Sequence, residues 1–255
     1  MSVSLAAVIL TRDEEANIED CIASVRWADR VVVFDSFSQD RTVELAQSAG
    51  AEVLQHPFEN YAQQRNAALD AVEADWNLFV DADERSSPEQ AAEIRSLISE
   101  GKHNGFWIPR HNYIFGRLTR HTGWYPDYQL RLLRRQKARY DAARPVHELV
   151  ILEGEPGYLT TPFLHYNYRT FAQFREKQNR YVRYDAQILK EQGILAKPHK
   201  FITQPARQFI WRFITLRGYQ DGLHGLRLSL LMAWYEFQKY AYLRVLYRAG
   251  NGDNN

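Results

Sequence analysis

Cysteine is almost absent: Cys21 is the only one in 255 residues. No disulfide can form within the chain, and nothing in its thiol content argues for an oxidising compartment. Long apolar runs are missing as well; nowhere do the roughly 18 consecutive apolar residues of a membrane-spanning helix occur. The apolar start, Met1 to Leu10, carries no basic residue and runs straight into Thr11-Arg12-Asp13-Glu14-Glu15. That is the pattern of a first strand, not of a signal peptide. An excess of one charge is lacking too. The 32 basic and 31 acidic side chains leave a net charge of +1, so no nucleic-acid partner is expected from bulk charge. Glycine is sparse where phosphate loops need it: neither Gly-x-Gly-x-x-Gly nor Gly-x4-Gly-Lys-Ser/Thr occurs. A bound phosphate would therefore be held by metal and side chains. There is no internal repeat, and biased composition is confined to a polar tail.

What is present is a hydrophobic content of 45%, enough for a sizeable core. The first hundred residues alternate strand and helix patterns. Leu5 to Leu10, Val31 to Phe34, Ala51 to Leu54 and Trp76 to Val80 read as strands. Ile18, Cys21, Ile22 and Val25 recur at helical spacing, and helices are expected over about Asp40–Ala49, Asn60–Val72 and Ser87–Glu100. Gly50 is placed to end the second of these, and Ser87 with Pro88 to start the last. Such alternation predicts an α/β fold with a mostly parallel central sheet covered by helices on both faces. Beyond residue 104, Phe106–Ile108, Gln129–Leu133, Val146–Ile151 and Phe163–Leu164 look like strands. After Thr170 the chain turns helical, with breaks expected near Pro198, Pro205 and Gly218.

The most informative stretch is Phe79-Val80-Asp81-Ala82-Asp83-Glu84. An apolar strand ends in three carboxylates, at the strand end where α/β sheets keep their ligands. Asp81 and Asp83, at i and i+2, point to the same side while the backbone stays extended. Paired oxygens suit a hard divalent cation that leaves coordination sites for a diphosphate. In isolation, a solvated acidic turn before Ser86-Ser87-Pro88 would look the same. Two more polar segments follow strands on the same edge: Thr11 to Ile18, and Asp35-Ser36-Phe37-Ser38-Gln39-Asp40-Arg41-Thr42. Helix capping accounts for Asn17, Ser38, Asp40 and Thr42, but poorly for Asp35, which ends the strand itself. Asp35 is the candidate for recognising a base or ribose. Arg65-Asn66 lies on the next helix, where Arg65 alone would read as a solvated residue.

Taken together these segments resemble the family 2 glycosyltransferases with their GT-A nucleotide-diphospho-sugar transferase fold. The resemblance covers roughly residues 4 to 150. It rests on Thr11 to Glu15, the Asp35…Ser38…Asp40…Thr42 spacing, Arg65-Asn66 and Asp81-Ala82-Asp83. Asp13 stands where Asn is usual, and Ser36-Phe37 where Asp-Gly is common. The Asp-Ser-x-Ser-x-Asp-x-Thr form is similar to the branch that includes lipopolysaccharide-core β-glucosyltransferases. The resemblance implies that Asp35 and Arg65 hold the nucleotide, with Thr11 and Glu14 on the same edge. It places Asp81 near ribose and metal, and Asp83 on a Mg²⁺ or Mn²⁺ ion. A UDP-linked hexose or heptose donor and inversion at the anomeric carbon are implied in the same way. His165 is a possible further metal ligand, although a lone His at a strand end is as often structural.

The reaction needs a carboxylate to take the acceptor's proton. Asp127, in Trp124-Tyr125-Pro126-Asp127-Tyr128, is the candidate, since aromatic faces suit sugar rings and apolar surroundings favour a protonated carboxyl; a plain Pro-Asp turn is its bland reading. Glu148 is held in reserve. Arg131, Arg134, Arg135 and Arg144 are expected around the acceptor, as phosphate ligands or as solvated surface.

From Lys197 to Arg248 nine basic residues face only Asp221 and Glu236. On a helical wheel Leu231, Trp234, Tyr235, Ala241, Tyr242, Val245 and Leu246 share an arc, opposite Ser229, Glu236, Lys239, Arg244 and Arg248. The pattern describes either an amphipathic helix at an anionic membrane surface or one packed on the catalytic domain. Gly218 to Leu226 is similar to a C-terminal element of the lipopolysaccharide branch. The expected organisation is a catalytic domain over residues 1–170, its nucleotide-sugar half 1–100 and acceptor half 101–170. A C-terminal helical, membrane-interface region over 171–250 and a tail over 251–255 follow. The expected protein is a cytoplasmic glycosyltransferase on the inner face of the cell membrane, extending a lipid-linked glycan. Two readings compete. A sugar-1-phosphate nucleotidylyltransferase would want glycine in the first loop, and Thr11 to Asn17 has none. A non-catalytic basic protein would bind lipid or RNA.

Overall fold

The computed structural model describes residues 3–141 and 149–252. In chain order the elements begin β1 (Leu5–Thr11), α1 (Ile18–Val25), β2 (Arg30–Asp35), α2 (Thr42–Ser48), β3 (Glu52–Gln55) and α3 (Tyr61–Ala71). Then come β4 (Trp76–Asp81), β5 (Glu84–Arg85), α4 (Pro88–Glu100), β6 (Gly105–Ile114), β7 (Arg117–Thr119) and β8 (Tyr128–Arg134). The remainder is β9 (Ala138–Tyr140), β10 (Val150–Leu152), β11 (Gly157–Tyr158), β12 (Phe163–Tyr168), α5 (Phe171–Glu191), α6 (Lys200–Ile210) and α7 (Gly222–Gly252). The chain forms two compact units, one of Met1–His111 with Asp127–His165, the other of Asn112–Pro126 with Tyr166–Asn255.

In the first unit β3, β2, β1 and β4 lie side by side in parallel. The sheet continues through β8, which is antiparallel to both β4 and β6. The run of parallel strands thus belongs to the first hundred residues; beyond them β11 pairs parallel with β6. β1 is buried on both faces, as a central parallel strand must be. Its Leu5, Ala7 and Ile9 pack with Ile18, Cys21 and Ile22 of α1 and Ile94 of α4. Its Ala6 and Val8 face Ala62, Ala68 and Leu69 of α3 with Phe79 and Tyr140. Helix termini are written locally: the Ser87 side chain accepts from the N–H of Gln90 with Pro88 in the first turn, and Asn60 caps α3 through the N–H of Gln63. Gly50 follows α2 with φ +82°, which a Cβ would strain. Capping fails elsewhere. Asn17 occupies the N-cap of α1 and Arg41 that of α2, and neither side chain caps.

In the second unit α5 starts with a reciprocal capping box of Thr170 and Gln173. Phe174 packs edge-on to Tyr168 and Tyr235, with ring centroids 4.9 and 5.8 Å away. Tyr235, Leu231 and Tyr242 belong to this cluster, and Leu246 to a second one with Ala186 of α5 and Leu243. Most of the apolar arc read from the helical wheel of α7 is therefore covered by α5, whereas Trp234 and Val245 are exposed. Pro205, expected at a break, sits inside α6, where it forgoes one backbone bond. The helix continues into a π-type turn, Trp211–Thr215.

The segment Gly218 to Leu226 ties down the β7 loop. Asp221 accepts from the backbone N–H of His121 and faces its Nδ1, both at 2.9 Å. His224 Nε2 lies 3.1 Å from Thr119 Oγ1. A Cβ on Gly225 would stand 1.9 Å from the carbonyl oxygen of Gly218. Gly225→Ala is therefore expected to cost about 3 kcal/mol, the upper end of overpacking losses, because the clash is with backbone. Chemical denaturation of the variant measures it; a loss below about 1 kcal/mol would contradict the packing described.

Candidate active site

Strand register assembles the site. Thr11 lies beside Asp35 across β1 and β2, Asp35 beside Gln55 across β2 and β3, and Leu10 beside Asp81 across β1 and β4. The polar residues ending these strands therefore share one carboxyl edge, the ligand edge of an α/β sheet.

Asp81 is gripped by two arginines. Arg131 Nη2, from β8, donates to Oδ2 at 2.6 Å, and Arg65 Nη2, from α3, to Oδ1 at 3.3 Å. Both guanidinium groups are buried, and that of Arg65 lies over the rings of Tyr61 and Tyr140. Burial would push the Asp81 carboxyl up, but Arg131, then Arg65, outweigh it and hold it well below the usual carboxylate range. Arg65 is thus no solvated helix residue. Its neighbour Asn66 exchanges two hydrogen bonds with the Tyr140 backbone, at 2.9 Å each, and fastens α3 to β9.

Asp83 lies beyond the strand end with its side chain about one third exposed, and its Oδ2 is 3.3 Å from Nε2 of buried His165. Antiparallel pairing of β12 with β5 sets His165 opposite Glu84 and so brings it there. Glu84 is fully buried. It accepts from the Asp81 N–H at 2.9 Å and from Arg110 Nη1 at 3.3 Å. Burial first, then the negative charge of Asp81, raises its pKa above the ordinary value. Arg85 braces the tip by donating to the carbonyls of Ala82 and Glu84, each at 2.8 Å, and to that of Asn17 at 3.0 Å.

Asp35 is fully buried and accepts from Thr11 Oγ1 at 3.0 Å, from Gln55 Nε2 at 3.1 Å, and from both the N–H and the hydroxyl of Ser38. Those four bonds organise the loop. Ser38, Asp40 and Thr42 stitch the two loops together, accepting from the N–H groups of Asp13, Glu15 and Glu14 at 2.9, 3.0 and 2.7 Å, and Asp40 also accepts from the Thr42 N–H at the start of α2, at 2.9 Å. Phe37, where glycine is common, adopts φ +56° with its ring half exposed. That explains the usual glycine, since the left-handed region disfavours a bulky residue. Glu14 is half-buried; burial raises its pKa, the Asn17 hydrogen bond opposes this, and nearby Asp83 adds to it.

Asp127 does not stand among aromatics alone. Its Oδ2 accepts from Arg110 Nε at 2.9 Å and Nη2 at 2.6 Å, and its Oδ1 from Gln129 Nε2 at 3.1 Å. Arg110 therefore joins Asp127 to Glu84 and the acidic tip. Arg110 and Arg85 escaped the sequence reading; the available signal was a charged residue in the strand Phe106-Trp107-Ile108-Pro109-Arg110. The arginines expected to cluster do not. Arg131 grips Asp81, Arg135 donates to the carbonyls of Leu69 and Asp70 at the end of α3, and Arg134 is exposed beside Asn104. Arg144 and Glu148 lie outside the described residues.

The family described as glycosyl transferase family 2 matches residues 6–149, and the chain belongs to it. The fold is accordingly GT-A, with C-terminal helices added. One relative, the lipopolysaccharide core biosynthesis glycosyltransferase LpsC of Rhizobium meliloti (strain 1021), is 30% identical, covering 93% of each chain. A Rickettsia bellii (strain RML369-C) glycosyltransferase is 28% identical, covering 96% of this chain and 88% of its own. Among solved structures, residues 1–349 of Staphylococcus aureus TarS superpose with a TM-score of 0.49 at 16% identity, covering 97% and 92%. A Mycobacterium tuberculosis glucosyl-3-phosphoglycerate synthase, in complex with Mn²⁺, UDP and phosphoglyceric acid, gives a TM-score of 0.38 at 22% identity over 43% of each chain. The chain is thus a nucleotide-sugar glycosyltransferase similar to the lipopolysaccharide-core branch. That class displaces the nucleotidylyltransferase and non-catalytic readings.

Proposed function

We propose that the chain moves a hexose or heptose from a UDP-linked donor to a hydroxyl of a lipid-linked glycan such as lipopolysaccharide core, with inversion at the anomeric carbon. The observation carrying this reading is the acidic tip at the sheet's carboxyl edge, Asp81 and Asp83, ringed by Arg65, Arg131 and Arg110. Similarity to LpsC supports the acceptor class.

A divalent cation fits the tip. Asp83 and His165 bring one oxygen and one nitrogen donor to within 3.3 Å of each other. Among the described residues no group of three His, Cys, Asp or Glu could hold a metal ion, so the donor's diphosphate oxygens would complete the shell. Mg²⁺ or Mn²⁺ bound there would act as a Lewis acid toward the departing diphosphate.

The chain's own residues do the rest. Thr11, Asp35 and Ser38 shape the loop that receives base and ribose, with Glu14 beside it. Arg65 and Arg131, oriented by Asp81, add positive charge beside the leaving group. Asp127 takes the acceptor proton as the oxygen–carbon bond forms and the anomeric carbon–phosphate-oxygen bond breaks. Arg110 holds Oδ2 of Asp127 and Gln129 donates to Oδ1, so the two together orient the carboxylate toward the acceptor proton.

A panel of nucleotide-sugars, with and without Mn²⁺, tests the reading by thermal stabilisation and donor hydrolysis. A true donor at 100 times its Kd adds about 2.7 kcal/mol to stability. With the donor found, Asp127→Asn is expected to keep that stabilisation and lose transfer by about a hundredfold or more. Failure of every nucleotide-sugar to stabilise the chain would sink the reading.

A further inference from the structure

The second unit leaves a broad apolar surface that its own core does not use. Along α6 and the π-type turn after it, Ile202, Ala206, Ile210 and Ile214 recur every four residues and are all exposed, Ile202 by 76%. Along the first half of α7, Leu223, Leu230 and Trp234 form a second exposed stripe, Leu223 at 83%. Arg227, its guanidinium over the Phe115 ring, lines with Leu223, Leu226, Leu230 and Leu231 a shallow apolar groove of about 370 Å³. The helices are joined by aromatic contacts: Trp234 stacks on Phe237 at 5.4 Å, and Phe237 meets Phe201 at 5.7 Å. Trp211 and Tyr219 are exposed in the connection. Side chains this large, exposed at helical spacing on two packed helices, mark a surface for something apolar.

Charge decides what that is. Between Lys200 and Trp234 there are five basic residues and one acid, Asp221, in a chain whose net charge is +1. Asp221 is mostly buried and spent on His121, while Arg207, Arg217 and Arg227 are exposed. Arg212, by contrast, is turned inward, donating to the carbonyl of Thr122, and burial lowers its pKa to about 10. Leucine and isoleucine stripes edged by tryptophan, tyrosine and arginine, with no exposed carboxylate, complement a layer of anionic headgroups over hydrocarbon. Among the described residues no helix is long and apolar enough to cross a membrane.

We propose that α6, the turn after it and the first half of α7 form a docking surface for an anionic lipid bilayer, which the protein enters only to the depth of these side chains. Apart from Trp234, the surface differs from the arc of α7 marked by the helical wheel, most of which packs on α5. Docking would serve the lipid-linked acceptor inferred above and rests on that reading for its purpose.

Flotation of the full chain with vesicles of phosphatidylcholine alone, and of phosphatidylcholine with an equal share of phosphatidylglycerol, tests it. Binding is expected only to the anionic vesicles, weakening as salt rises. Leu223→Glu with Leu230→Glu should weaken it at least tenfold with circular dichroism unchanged, and Arg207→Glu severalfold. Ile151→Glu, at an exposed apolar residue of the first unit, should change nothing. Absence of binding, or binding indifferent to the Leu223/Leu230 pair, would overturn the proposal. So would concentration-dependent self-association that the same pair abolishes, since the surface would then serve a second copy. Vesicle binding by a chain inactive on every lipid-linked acceptor would leave docking standing and remove the acceptor reading.

Discussion

Asp83→Ala is expected to lower the rate of sugar transfer about a thousandfold, roughly 4 kcal/mol of transition-state stabilisation, with little change in folding stability. The size follows from what the residue does not do as much as from what it does. Its side chain is one third exposed, and the contact recorded for it is His165 at 3.3 Å. An exposed carboxylate facing one imidazole holds little of the fold together. Its worth lies in the negative charge and oxygen it offers a cation shared with the donor diphosphate. A chelator should therefore abolish wild-type transfer and leave the residual rate of the variant untouched. His165→Gln should act in the same direction but less, and the double variant should be less damaged than the two losses combined, because residues serving one ion couple. The contrary outcome is specific. Arg65, Arg131 and Arg110 surround the same tip; were they the main counter-charge, Arg131→Met would be ruinous and Asp83→Ala mild. Full turnover in a chelator by the Asp83 variant would decide for the arginines.

Which parts of this site were open to sequence reading follows from the range of the interactions. Ser87-Pro88, Gly50 and the apolar strand ending at Asp81 are local signals, set by capping geometry, by φ above zero and by an uninterrupted buried strand. The structure has them in place, with element ends shifted by a residue or two. The parallel half of the sheet was legible for the same reason, since each strand–helix–strand unit is written within about thirty residues. What was not legible depends on pairing far along the chain. β12 meets β5 across some eighty residues, and only that pairing delivers His165 to Asp83. Arg131 was visible as a basic residue, but its partner Asp81 is set by the register of β8 on β4. Asp127 looked like a carboxylate among aromatics until β6 placed Arg110 against it. The helical wheel of α7 failed differently: it assumes one partner face, whereas α7 packs on α5 along one side and on α6 along another.

Asp81→Asn is the active-site variant expected to damage the fold most. Two buried guanidinium groups, Arg65 and Arg131, are compensated at this carboxylate. Removing one partner of a buried ion pair costs about 3–5 kcal/mol, because the other charge is left without compensation. The lower end applies, since one edge of Asp81 reaches solvent; a loss of about 3 kcal/mol lowers the Tm of a chain this long by roughly 6–12 °C. The sign with pH is fixed as well. A carboxyl held below its ordinary range in the folded state contributes stability that is fully present above its unfolded pKa of about 3.9, and that is lost as acid drives protons onto it. Glu84 works in the opposite sense and in another window: its raised pKa costs stability as pH rises above the ordinary carboxyl value and adds no slope below it, so the fall below pH 4 is left to Asp81. Wild-type stability should therefore fall on acidification below about pH 4, and Asp81→Asn should remove part of that slope. Arg131→Met in the Asp81→Asn background should recover stability, for it withdraws the stranded charge while keeping a side chain of similar length. If the double variant is no more stable than Asp81→Asn, the pair is not what Asp81 contributes. Urea unfolding of the four proteins at pH 7 and pH 3.5 measures both quantities together.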